Sequence, residues 1–236
     1  MKYLVTRPEP DALKLKALLE QIDHEAVVEP LLTTAFDDVE TIELDEVQAL
    51  IATSRNGLRA LKHQRAHRAA SDLPLFAVGK ATANEARALG FKLIVTGAGT
   101  VTDLIPQIVS ACDPQAGFLL HLAGDTLAGE LAAELEAHGF RLLQPVVYRM
   151  IPAEQFSDIT FEQIASGELD GVLLFSPRTA RIYVDLIERA RLKVSARQLT
   201  HVCLSAAVAA PLKKLGPIRI EIAARPTLDA MLALLT

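Results

Sequence analysis

Tryptophan is absent from the 236-residue chain, and aromatic residues make up only 5% of it. So thin an aromatic complement offers few stacking platforms for single-stranded nucleic acid. A basic surplus is missing too: 24 Lys and Arg stand against 29 Asp and Glu, a formal charge of −5. Nucleic-acid binding needs a basic footprint, so this balance argues against such a partner. It still allows a local basic cleft that takes a small anion. Only two cysteines occur, Cys112 and Cys203, each inside an apolar run and without a C-x-x-C pairing. That is the pattern of reduced, buried thiols in the cytoplasm. No apolar run reaches the roughly 20 residues of a membrane-spanning helix. The opening MKYLVTRPEP meets an arginine and two prolines too early for a secretory signal. The expectation is a cytoplasmic protein with neither a membrane nor a nucleic-acid partner.

Familiar catalytic signatures are missing as well. There is no P-loop, no G-x-S-x-G elbow and no carboxylate cluster at metal spacing. Gly97-Ala98-Gly99 is a fragment of a dinucleotide fingerprint, but Thr102 stands where the third glycine belongs, so a turn is the better reading. HQRAH sets His63 and His67 four apart on an expected helix, without the glutamate of H-E-x-x-H; a solvated face suits it better.

What remains is a chain that is 50% hydrophobic and 22% charged, ordinary for a globular protein. Its length suits one large domain or two of about 100 to 120 residues. Short apolar runs (YLVT, EAVVEPLL, VQALIAT, LPLFAVG, FKLIVT, GFLLHL, FRLLQPVVY, DGVLLFS, HVCLS, IRIEIA) alternate with amphipathic stretches. Helices are expected after most of them, including Thr102 to Cys112, one ending at Gly139 and a last one to Leu235. Such alternation predicts parallel sheets covered by helices on both faces.

The chain also repeats itself. Leu4 and Pro30 correspond to Leu119 and Pro145, Ser54 and Arg59 to Ser176 and Arg181, and Gly79 and Gly90 to Ser205 and Gly216. The same order of elements therefore comes twice, which predicts two similar α/β domains of four strands each. The period is far too long for a solenoid. No Gly/Ser linker divides the halves, so the cross-overs are expected in the proline-bearing segments PLLTTAF and PVVYRMIP.

At the repeated strand-to-helix turns, hydroxyls, glycines and basic residues collect: Thr6-Arg7-Pro8, Thr53-Ser54-Arg55-Asn56-Gly57, Gly79-Lys80-Ala81-Thr82, Ser176-Pro177-Arg178-Thr179 and Ser205-Ala206. One such turn is explained by helix capping alone. Ligands of open α/β sheets, however, bind at the carboxyl ends of strands, and helix starts attract anions. The recurrence points to a ligand with many carboxylates, with Arg7, Arg55, Lys80 and Arg178 adding positive charge. Tyr148, one of three tyrosines, sits in the expected cross-over, either as a packing aromatic or as a hydroxyl that protonates a leaving group. His121 follows an apolar strand and suits either a cleft lining or a satisfied core position.

Taken in order, Thr6-Arg7-Pro8, ATSRNGLRAL, FAVGKATANEARALGF, VVYR, LLFSPRTA and CLSAAVA resemble the uroporphyrinogen-III synthase family, in its alphaproteobacterial-type branch, over nearly the whole chain. The resemblance implies two similar α/β domains, each a parallel sheet flanked by helices, joined by a two-stranded linker with the active site in the cleft. Residues 1–33 plus 152–236 would form one domain, 36–147 the other, and 33–36 with 147–152 the linker strands. The implied substrate is hydroxymethylbilane, a linear tetrapyrrole with eight carboxylates. The implied reaction loses water and closes the ring with inversion of ring D through a spiro intermediate, without cofactor or metal. A monomer in transient contact with hydroxymethylbilane synthase is implied too. Tyr148 would assist the departing hydroxyl, and the turns at Arg7, Thr53–Gly57, Gly79–Thr82, Ser176–Thr179 and Ser205 would hold carboxylates. Val208 stands where the family often has threonine, with Ser205 as a compensating hydroxyl, and His121–Asp125 replaces a glycine- and arginine-rich turn. The rival readings are a non-catalytic tetrapyrrole or polycarboxylate binding module of the same fold, and a nucleotide-dependent α/β enzyme that lacks its fingerprint.

Overall fold

The run GVLL at 171–174 is apolar and buried at every position, and VQALIA at 47–52 is buried at all but one. Such segments are stable as strands covered on both faces, and parallel sheets provide that setting. The computed structural model describes residues 1–36, 42–64, 66–125 and 131–235. In chain order its strands are β1 (Lys2–Val5), β2 (Glu25–Val28), β3 (Leu32–Ala35), β4 (Val47–Ala52), β5 (Leu75–Ala77), β6 (Ile94–Thr96), β7 (Phe118–His121), β8 (Ala123–Gly124), β9 (Arg141–Leu143), β10 (Val146–Pro152), β11 (Gly171–Leu174), β12 (Thr200–Cys203) and β13 (Arg219–Ile222).

The chain divides into two compact units, one of Met1–Thr33 with Ile151–Thr236, the other of Thr34–Met150. The first holds a five-stranded sheet in the order β13-β12-β11-β1-β2, with every pairing parallel. Successive residues serve opposite faces, as the strand period requires. Leu4, Val172 and Leu174 join one apolar cluster with Tyr183 and Leu212, while Tyr3, Val5 and Leu173 join another with Leu15 and Met231.

The second unit holds a five-stranded sheet in the order β6-β5-β4-β7-β9, again all parallel. Leu50, Ala52 and Leu120 face Leu58 and Phe91 on one side; Ala49, Ile51 and Leu119 face Leu104 and Leu135 on the other. The chain passes from one unit to the other within β3 and within β10, neighbours in a three-stranded sheet completed by the short β8.

Each sheet thus has five strands, not the four expected. The repeat explains why the two orders correspond: β1 and β2 of the first copy join β11, β12 and β13 of the second, while β4, β5 and β6 of the first join β7 and β9 of the second. Each unit is a hybrid of the two copies.

Several local readings are corrected. FRLLQPVVY is two strands, β9 and β10, parted at Gln144-Pro145, and they belong to different sheets. EAVVEPLL divides likewise between β2 and β3. A proline removes one ladder donor, which is why both splits fall at one. The helix expected from Thr102 begins at Ile105, with Pro106 in its first turn. The one ending before Gly139 spans Leu131–Ala137, and its expected beginning lies outside the described residues; the last spans Leu228–Leu232. His63 and His67 do not share a helix: the first follows Arg55–Lys62 and stacks on Phe36 at 5.0 Å, and the second opens the short helix His67–Ala70.

Candidate functional site

Each sheet reverses its direction of growth once. In the unit of residues 34–150 the reversal lies between β4 and β7, and in the other unit between β1 and β11. The loops leaving the carboxyl ends of two such strands part to opposite sides and open a crevice, the usual ligand position in open α/β sheets.

At the β4–β7 reversal, Thr53 and Ser54 follow β4. Ser54 is extended (φ −144°, ψ 148°), and its Oγ accepts from the Asn56 N–H at 3.1 Å, capping the helix Arg55–Lys62. The Asn56 amide is fixed from both sides. Its Nδ2 donates to Met150 Sδ at 3.4 Å, and its Oδ1 accepts from Arg59 Nη1 at 3.2 Å. Arg59 also grips Glu85 through Nε and Nη2, at 3.3 and 3.2 Å, tying this helix to the helix Lys80–Ala88. Gly57 lies against the chain leaving β7: a Cβ there would stand 2.5 Å from the Leu122 carbonyl oxygen. Only glycine allows that approach, so its visible role is packing.

The β7 side supplies His121, Leu122, Ala123, Gly124 and Asp125. His121 is buried and bridges two side chains: its Nε2 lies 2.9 Å from Thr53 Oγ1 and its Nδ1 lies 3.0 Å from Gln144 Nε2. Burial lowers its pKa from the usual 6.5 to about 4. The half-buried Tyr148, on β10, lies over Gly124, where a Cβ would stand 2.6 Å from Cζ and 2.8 Å from the hydroxyl. The Asp125 N–H donates to the Tyr148 carbonyl at 3.1 Å, and Asp125 Oδ2 accepts from the Met150 N–H at 3.4 Å. The structure therefore gathers Thr53–Gly57, His121–Asp125 and Tyr148 at one sheet edge. Gly79, Lys80 and Thr82 lie one strand further out, after β5. Gly79 begins its helix without a side-chain cap, Lys80 is exposed, and Thr82 is buried.

At the β1–β11 reversal, the Thr6 hydroxyl donates to the Leu173 carbonyl at 2.8 Å and pins the two strand ends together. The Arg7 guanidinium lies 4.5 Å from the centre of the Phe175 ring and pairs with Asp11 at 3.2 Å. Ser176 caps the helix Pro177–Arg189, with Oγ accepting from the Thr179 N–H at 3.0 Å and meeting Thr179 Oγ1 at 2.8 Å. Pro177 fits the first turn, where no N–H is needed; Arg178 is half-buried and Thr179 buried. Ser205 differs from the other two serines. It stands before a four-residue helix, Ala206–Ala209, and makes no side-chain cap, while Val208 is buried in the apolar core. The valine therefore fills core volume.

Gln144 escaped the sequence reading, and Gly124 entered it only as a member of the turn His121–Asp125. Gln144 is distant in sequence from both residues that it completes, so no local pattern marks it. The role of Gly124 shows only through the Tyr148 ring that lies on it. Among the described residues no three His, Cys, Asp or Glu side chains group as a metal site, and no helix is long and apolar enough to cross a membrane.

A family model described as HEM4, uroporphyrinogen-III synthase HemD, matches residues 14–233. No curated protein sequence gives a match. The crystal structure of uroporphyrinogen-III synthetase from Helicobacter pylori 26695 superposes with a TM-score of 0.67 at 19% identity, covering 100% of this chain and 98% of that one. A mutant uroporphyrinogen III synthase from the extremely thermophilic bacterium Thermus thermophilus gives a TM-score of 0.52 at 18% identity, covering 100% of this chain and 97% of that one. At these identities the two structures establish likeness of fold.

Proposed function

The chain belongs to the uroporphyrinogen-III synthase family, and we propose that it converts hydroxymethylbilane into uroporphyrinogen III as an enzyme of tetrapyrrole biosynthesis. The observation that carries this reading is the family match itself, which runs through both units from residue 14 to residue 233. The non-catalytic binding module of the same fold is not favoured.

In this proposal, carboxylates of the substrate meet the serine- and glycine-started helices at the carboxyl edges of the two sheets. Unpaired N–H groups and the positive end of each helix favour an anion there. Ser54 and Ser176 satisfy one N–H each and leave others of the first turn to a ligand. Arg7, Arg55, Lys80 and Arg178 add charge, and Thr53, Asn56 and Ser205 add polar groups. Gly57, Pro177, Thr82 and Thr179 shape the turns.

Tyr148 is the proposed acid. Its phenol gives a proton to the hydroxyl of the substrate's hydroxymethyl group, so the carbon–oxygen bond breaks and water leaves. The resulting carbocation, delocalised into its pyrrole, is attacked by ring D at its substituted carbon, which gives a spiro intermediate. The bond from that carbon to the methylene of ring C then breaks, the methylene rejoins ring D at its free α-carbon, and the proton displaced there returns to the Tyr148 phenolate, which leaves ring D inverted in the closed macrocycle. Holding the two ends of the linear tetrapyrrole together supplies proximity, and keeping water away protects the cation. The pyrroles supply most of the reactivity, and no cofactor is invoked. The proposal extends to a cytoplasmic monomer that receives its unstable substrate through transient contact with hydroxymethylbilane synthase.

The test is a coupled assay. Hydroxymethylbilane is generated in situ, the purified protein is added without metal or cofactor, and the oxidised porphyrin isomers are separated. Predominantly type III product supports the proposal. Type I alone, the product of spontaneous closure, overturns it and leaves the binding module.

A further inference from the structure

The two buried histidines of the sheets are wired in opposite senses. On β12, His201 Nδ1 faces the Arg219 carbonyl at 3.3 Å, and a carbonyl can only accept. The ring hydrogen is therefore on Nδ1, and Nε2 accepts from the Tyr183 hydroxyl at 3.3 Å. Tyr183 is fully buried, so this chain of bonds ends inside the core.

His121 ends elsewhere. The Gln144 amide nitrogen, which can only donate, lies 3.0 Å from Nδ1. Nδ1 of the neutral ring accepts, and the single ring hydrogen is on Nε2. That hydrogen is donated to Thr53 Oγ1 at 2.9 Å. The Thr53 hydroxyl is then already an acceptor, and its own hydrogen has no partner among the described residues. Thr53 is half-buried, at the carboxyl end of β4 and directly before the capping Ser54. A hydroxyl alone can turn to suit either a donor or an acceptor. One that already receives a hydrogen bond from a fixed ring has one lone pair occupied and its hydrogen still to give, which favours an acceptor group on the ligand.

We infer that His121 is a positioning residue: backed by Gln144, it sets the Thr53 hydroxyl as a hydrogen-bond donor, and the group that receives the bond is a carboxylate oxygen of the substrate. The identity of that acceptor rests on the function proposed above. The wiring itself rests on the three side chains. Since burial holds the ring neutral down to about pH 4, the tautomer and the donor stay the same through the neutral range.

The test compares Thr53→Val, His121→Leu, His121→Gln and the double variant Thr53→Val/His121→Leu. Each is measured for KM and kcat in the coupled assay and for the Kd of uroporphyrin III, an octacarboxylate probe, by fluorescence titration. Thr53→Val and His121→Leu should each raise KM and Kd about tenfold or more, the weight of one hydrogen bond to a charged group, with kcat within about twofold. His121→Gln places an amide N–H near the position of Nε2 and should bring both constants back to within about twofold of the wild type. The double variant should be no worse than Thr53→Val alone, because the histidine acts only through that hydroxyl. Additive losses in the double variant overturn the inference, as does unchanged probe affinity in Thr53→Val, which decides the matter even if His121→Leu does not fold. Failure of the wild-type protein to bind uroporphyrin III also overturns it. If the wild type yields only type I product, the proposed function falls, and the uroporphyrin titration still judges the relay.

Discussion

Replacing Gly57 by alanine sets two rules of helix stability against each other. Glycine inside a helix costs up to about 1 kcal/mol relative to alanine, so propensity alone predicts a more stable protein. The structure predicts the reverse. The new methyl carbon would stand 2.5 Å from the Leu122 carbonyl oxygen and 3.0 Å from Leu122 Cβ, and the nearest obstacle is backbone. The helix start must therefore shift away from the chain leaving β7, and overpacking of this kind costs about 1–3 kcal/mol. A mid-range cost of about 2 kcal/mol less that gain leaves a net loss of about 1 kcal/mol, which at a urea slope near 1.5 kcal/mol per molar lowers the midpoint by about 0.7 M. Gly79→Ala is the matched control. Gly79 is extended at φ −166°, and its added carbon would meet only Gly99, at 3.5 Å from Cα and 3.9 Å from N. Its cost should be about 0.5 kcal/mol, from the poorer helix cap alone. Far-UV circular dichroism through a urea series reads both variants. A Gly57→Ala protein as stable as the wild type would refute the close approach, and with it the joining of the β4 and β7 turns into one edge.

Two further outcomes follow from the same geometry. Tyr148→Phe should lower kcat several-fold while leaving the urea midpoint in place, and Gly124→Ala, which pushes a methyl group into the same ring, should lower kcat at least as far; unchanged turnover at saturating substrate in both would remove Tyr148 from the reaction. Acid should also weaken the fold. Burial lowers the pKa of both His121 and His201 to about 4 from 6.5, so between those values the unfolded chain binds protons that the folded one refuses. Stability then falls as pH drops through this window, by about 2 kcal/mol per histidine at pH 5. His201→Gln should remove about 2 kcal/mol of that loss between pH 7 and pH 5; an unaltered pH dependence would show that the ring titrates normally.

The period of the apolar runs made the fold class legible. Strands such as VLL at 172–174 and ALIA at 49–52 must be covered on both faces, and helices lie between most of them, so the parallel α/β arrangement follows from burial alone. The strand count was harder to read. FRLLQPVVY is one apolar run, and nothing local says that its two halves bond to different sheets; only the partners of β9 and β10 decide that. The internal repeat was also only half informative. It shows that the elements come twice in the same order, but β1 and β2 of the first copy share a sheet with β11, β12 and β13 of the second, and β7 and β9 of the second share one with β4, β5 and β6 of the first. Similarity along a chain reports descent and pattern, whereas sheet membership is a matter of long-range pairing.

The candidate site divides along the same line. Ser54 and Ser176 could be read as helix starts because a cap is a local contract between a side chain and an N–H two or three residues on. By the same rule Ser205 looked equivalent, yet it makes no such bond, since the helix behind it is four residues long and turns at once into a 3-10 segment at Ala210. Gly57 read as one more polar-turn residue, although what selects glycine there is the carbonyl of Leu122, far along the chain. His121 could be singled out but not assigned, because its meaning depends on which neighbour can only donate. Gln144 settles that, and a glutamine before a proline carries no signal of its own. The residues legible in sequence are thus those whose partners lie within a helical turn. Those that tune the site act across the sheet, where a donor on one strand decides which hydrogen a hydroxyl on another has left to give.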